Sequence, residues 1–143
     1  VGICFGHQIV AQALGGTVEK HAGGWSVGPT QYRLADGDSR VLHAWHQDQV
    51  VRPPDGARTT ATAPGCAHAA FAIGDRVMTW QPHPEYDDRV LAGLMTHRGG
   101  AVPPDRLAAA RERLGTALDT GRVWDEIAAF YRRGTGEARS DVA

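Results

Sequence analysis

Two stretches of the chain carry residue types able to do covalent chemistry. One is Val1-Gly2-Ile3-Cys4-Phe5-Gly6-His7-Gln8, and the other is Thr79-Trp80-Gln81-Pro82-His83-Pro84-Glu85. In the first, a thiol sits between two glycines. Val1 and Ile3 read as the end of a buried strand, and Gln8 to Leu14 reads as a helix stopped by Gly15-Gly16. A nucleophile on such a strand-to-helix elbow is pushed outward, and the flanking glycines allow the neighbouring chain to approach. The positive end of the helix favours a thiolate over a thiol. Taken alone, a G-x-C-x-G run fits a small buried cysteine at the end of a core strand equally well.

The second stretch supplies what the first lacks. Two prolines hold it extended, and in an extended chain residues two apart point to the same side. Glu85 can then hold one imidazole nitrogen of His83 and leave the other to face a nucleophile. Orienting carboxylate, base and thiol in series form the logic of a catalytic triad, Cys4–His83–Glu85.

The elements that must position these groups can be read from the intervening chain. Strands are expected over 17–20, 27–34, 41–45, 59–63, 67–73 and 76–80, with a hairpin turn at Gly74-Asp75. His46-Gln47-Asp48 reads as a loop, and Arg52 to Gly56 as a turn. The Gly23-Gly24 pair is read as a plain turn, since no P-loop Lys-Ser or Lys-Thr follows it. His43, His46 and Asp48 lack the spacing of a metal-binding set, so no metal is expected. Cys66 has no base near it in sequence and reads as structural. After residue 86 the pattern becomes helical. Asp87-Asp88 caps a helix carrying Val90, Leu91, Leu94 and Met95. Pro103-Pro104-Asp105 starts a second, and Gly121 to Arg133 forms a third with Trp124, Ile127, Ala128 and Tyr131 on one face. A polar tail is expected over 134–143.

With these motifs in place, the sequence resembles the class I glutamine amidotransferase family. G-I-C-F-G-H-Q, A-L-G-G, the Gly24–Pro29 and Ala44–Val50 segments, and Q-P-H-P-E follow the family's order over residues 1–86. The nearest branch is GMP-synthase-like and stand-alone. The resemblance implies an α/β, flavodoxin-like three-layer domain, with 1–86 as its catalytic part and 87–133 as a helical extension. In the family the elbow falls mid-domain, so the chain is expected to be the C-terminal part of a larger domain whose N-terminal strands precede it. It further implies that the Phe5 N–H is one oxyanion donor and that Gly24 to Gly28 wall the glutamine pocket. Gln8, His46 and Asp48 would line the substrate, with no cofactor. The implied reaction is hydrolysis of the glutamine side-chain amide through a γ-glutamyl thioester, with ammonia passed to a synthetase partner. A γ-glutamyl peptide hydrolase would use the same residues. A catalytically incomplete piece acting only as an interaction domain is the third reading.

Composition agrees with such a protein and excludes others. The 143 residues are 42% hydrophobic with a net charge of −1, which describes a globular chain with no strong attraction to nucleic acid. No apolar run is long enough for a membrane helix. Two cysteines make no disulfide framework, and a nucleophilic Cys4 must stay reduced, so a cytoplasmic setting is expected.

Overall fold

In the computed structural model, residues 1–137 are described. A mixed six-stranded sheet runs in the order β1 (Gly2–Ile3), β8 (Val77–Trp80), β7 (Cys66–Ile73), β6 (Arg58–Ala63), β3 (Ser26–Leu34), β4 (Ser39–His46). β1 pairs with β8 in parallel, and every other neighbour is antiparallel. The sheet curls. His43 in the far edge strand β4 forms a bridge to His83, three residues beyond the end of β8, through His83 N–H to the His43 carbonyl at 2.9 Å. A second sheet pairs β2 (Thr17–Lys20) with β5 (Asp48–Arg52) antiparallel. β5 replaces the loop expected after β4. Only Gln47 separates the two strands, and Val50, buried by α1, makes the segment a strand.

Helix α1 (Phe5–Ala13) begins directly after Cys4 and buries Ala11 against Val50 and Phe71. It ends where Gly15, at φ 89°, adopts a conformation that costs little without a Cβ. Helix α2 (Asp88–His97) is capped as expected, the Asp87 carboxylate accepting from Val90 N–H at 2.8 Å. It packs with α3 (Pro104–Glu112) on Val27 and Trp45, the outer side of the β3–β4 hairpin; Leu91 and Met95 are buried there, whereas Val90 is exposed.

Helix α4 (Thr120–Glu137) closes the other face, where Val123 and Ile127 join Tyr32, Leu42, Ala70 and Trp80 in the main core. The buried stripe is thus turned from the expected one. Trp124 and Tyr131 face solvent, because the sheet selects the Val123–Ile127 edge. The helix also runs on to Glu137, past the expected start of the polar tail; residues 138–143 lie outside the described residues.

Candidate active site

The elbow is built by a close approach that only glycine permits. A Cβ on Gly2 would lie 2.6 Å from the Gly6 carbonyl oxygen, so the first turn of α1 folds directly over β1. The same does not hold for Gly6, where an added Cβ meets nothing within 4 Å; its expected role in the approach is carried by its carbonyl alone. Cys4 itself sits at φ 47° and ψ −101° and, among the described residues, is the one non-glycine with positive φ. Such strain costs about 1–3 kcal/mol and persists because Cys4 N–H is anchored on the Trp80 carbonyl at 2.8 Å while its own carbonyl accepts from Gln8 N–H at 3.0 Å. Phe5 takes the first helical position, where no earlier carbonyl can accept its N–H.

His83 and Glu85 meet as their spacing requires, Nδ1 to Oε1 at 2.7 Å. The ring is buried, and Tyr86 stacks on it with centroids 3.9 Å apart and planes 4° from parallel. Burial works against a charged His83, yet the Cys4 side chain and the Glu85 carboxylate outweigh it and lift its pKa to about 9. Nε2 is buried without a formed hydrogen bond, although the Cys4 thiol is close enough to act on the ring. A catalytic contact of this kind is often loose before substrate binds.

The remaining sequence-derived candidates occupy different roles from one another. Gln8 Nε2 donates to the Asp48 carbonyl at 2.7 Å and to Gln81 Oε1 at 3.1 Å, so both of its N–H groups are held by the protein. The Asp48 carboxylate turns to the surface beside Lys20, 3.5 Å from Nζ. The His46 ring is interior, its Nδ1 3.2 Å from the Asp48 carbonyl, and burial lowers its pKa to about 4. What joins this segment to Gln8 is therefore the Asp48 main chain. Among the described residues no cluster of three or more His, Cys, Asp or Glu side chains is arranged to hold a metal. Cys66 is buried at the edge of the main core, and burial pushes its thiol up to about 11.

Two site residues, Gln81 and Tyr86, were given no role by the sequence, and a third, His43, was weighed there only as a metal ligand. Gln81, wholly buried, donates from Nε2 to Cys4 Sγ at 3.6 Å. Tyr86 fixes the plane of the imidazole. His43, also wholly buried, lies 3.0 Å from Asp88 Oδ1 behind His83, while Asp88 Oδ2 takes the N–H of Gly115 at 2.6 Å. Only Gln81 carried a sequence signal, a buriable amide two residues before His83 at the end of a strand.

Comparison with known proteins gives the family. Residues 1–96 match the family model described as "Glutamine amidotransferase class-I". The chain belongs to the class I glutamine amidotransferase family. Among relatives of this amidotransferase-family chain, gamma-glutamyl peptidase 3 of Arabidopsis thaliana is 32% identical, across 94% of this chain and 60% of its own length. A GMP synthase (glutamine-hydrolyzing) of Aeropyrum pernix is also 32% identical, across 86% of this chain and 28% of its own. The solved glutamine amido transferase of Methylobacillus flagellatus superposes with a TM-score of 0.69 over 92% of this chain and 62% of its own, at 22% identity, a likeness of fold. The chain spans only 38–60% of the length of four curated relatives. No helix among the described residues is long and apolar enough to cross a membrane.

Proposed function

We propose that the protein hydrolyses the side-chain amide of glutamine and releases ammonia to a synthetase partner. The observation that carries the reading is the series Cys4, His83, Glu85, with the thiol on a strained elbow and the imidazole held by a carboxylate at 2.7 Å. In this mechanism the Cys4 sulfur attacks the carboxamide carbon, and the carbonyl electrons move onto oxygen. The Phe5 N–H at the start of α1 stabilises that oxyanion, an effect of roughly 3 kcal/mol per donor. His83, whose raised pKa keeps it charged at neutral pH, delivers its proton to the departing nitrogen. The C–N bond breaks, ammonia leaves and a γ-glutamyl thioester remains. The neutral ring then takes a proton from water, the hydroxide attacks the thioester, and glutamate leaves as the Cys4 thiolate and the charged His83 are restored. Gln8, its N–H groups already committed, turns its carbonyl oxygen to the substrate, backed by the His46–Asp48 segment.

The test is mass spectrometry after treatment with 6-diazo-5-oxo-L-norleucine, comparing wild type with Cys4→Ser and His83→Ala. Labelling on Cys4 that needs His83 and is blocked by glutamine is expected. No adduct on Cys4 refutes the nucleophile. A second reading, hydrolysis of γ-glutamyl peptides by the same residues, is favoured by the gamma-glutamyl peptidase likeness across 94% of the chain. It predicts protection by γ-glutamyl peptides and none by glutamine.

A further inference from the structure

The thiol of Cys4 is served by a chain of amides that begins at the main chain of β5. The Asp48 carbonyl can only accept, and it takes one N–H of Gln8 at 2.7 Å. That fixes which end of the Gln8 amide is nitrogen, and its other N–H points at the Gln81 side chain, 3.1 Å away. Gln81 must then present its oxygen to Gln8 and its nitrogen to Cys4 Sγ, at 3.6 Å. No exchange with water can relax this arrangement, because Gln81 is wholly buried. An N–H donor aimed at sulfur favours the thiolate and fixes its direction, and hydrogen bonds to charged groups are the strong ones.

We infer that Gln81 is a catalytic residue of this site, holding the Cys4 thiolate through Nε2, and that Gln8 is the positioning residue that sets the Gln81 amide the right way round. The inference rests on Cys4 being the nucleophile. It adds a second support for the sulfur besides His83, from the opposite neighbour of Pro82. Other titratable groups acting on the thiol's surroundings are His83 and Glu85, Tyr86 over the ring, and Tyr32 from β3. None of them is changed in the variants below.

The experiment follows the rate of Cys4 alkylation by iodoacetamide against pH, read by mass spectrometry, with no glutamine present. It therefore fails or succeeds apart from the substrate assignment, which 6-diazo-5-oxo-L-norleucine labelling tests separately. Gln81→Glu keeps the oxygen that accepts from Gln8 and replaces the donor with an oxygen. Gln81→Met keeps the shape and removes both. The alkylation midpoint is expected to rise by about one pH unit in Gln81→Met, a roughly tenfold loss of rate on the rising limb, and further in Gln81→Glu. A midpoint equal to wild type in a folded Gln81→Met protein overturns the inference. Should both variants fail to fold, Gln8→Met, at a half-buried position, carries the test. It frees the Gln81 amide to turn, and an unchanged midpoint there overturns the inference as well.

Discussion

Acid should destabilise this protein through two interior imidazoles, and His7 allows the effect to be isolated. Its side chain is wholly buried under α1, with Nδ1 2.8 Å from Thr79 Oγ1. The Thr79 hydroxyl gives its proton to the Phe71 carbonyl, 3.0 Å away. Nδ1 must therefore be the donor, which leaves Nε2 buried without a partner. Burial, helped by the neighbouring His46, lowers the His7 pKa from 6.5 to about 3. The folded state binds fewer protons than the unfolded state between those values, so this contribution is harmless above pH 6.5 and costs stability as pH falls below it. Linkage over that span gives a loss of about 2 kcal/mol between pH 7.5 and 5 for His7. His46, lowered to about 4, adds a similar amount. His83 works in the opposite sense, since its folded pKa is raised; its stabilisation is complete below pH 6.5 and fades as pH rises through 9. Comparing wild type with His7→Gln cancels the His83 and His46 contributions. Urea unfolding at pH 7.5 and 5.0, followed by tryptophan fluorescence, should show wild type losing about 2 kcal/mol more than the variant on acidification. Equal losses in the two proteins would refute the buried neutral imidazole.

The elbow yields two further expectations. Cys4→Gly should be more stable than Cys4→Ala by about 1 kcal/mol in urea, because glycine tolerates φ 47° and alanine does not; equal stabilities would mean that Cys4 is not strained. Gly2→Ala should cost about 2 kcal/mol or more and abolish Cys4 labelling, since its Cβ meets the Gly6 backbone at 2.6 Å, whereas Gly6→Ala, with open space around it, should fold at least as well as wild type. Similar melting temperatures for the two alanine variants would show that the close approach is not what shapes the turn.

What was legible in the sequence was local or periodic. The i, i+2 spacing of His83 and Glu85 between prolines survives as the 2.7 Å contact. Gly2 and Gly15 mark the two limits of the elbow, and Asp87 caps its helix. What was missed depends on partners distant in the chain. β5 is a strand only because Thr17–Lys20 lies beside it and α1 covers Val50. Trp124 and Val123 are equally apolar in sequence, and only the position of the sheet decides which is buried. Gln81 and Tyr86 look like ordinary polar and aromatic neighbours of a histidine until Cys4 and the imidazole are brought to them.

The parallel pairing of β1 with β8 joins segments more than seventy positions apart, Cys4 and Gln81 being separated by 77. The strands between them pair antiparallel at shorter separations, the widest joining Thr17 to Arg52, and these closures cost less entropy. The β1 closure comes against a scaffold already standing, and in the described residues β8 is the one strand that holds β1. The same seam is the natural place for the native state to open transiently. Amide exchange in Gly2–Ile3 and the first turn of α1 should then outpace that of β6 and β7. The chain acquires its architecture before its reactivity, and on unfolding it surrenders them in reverse order.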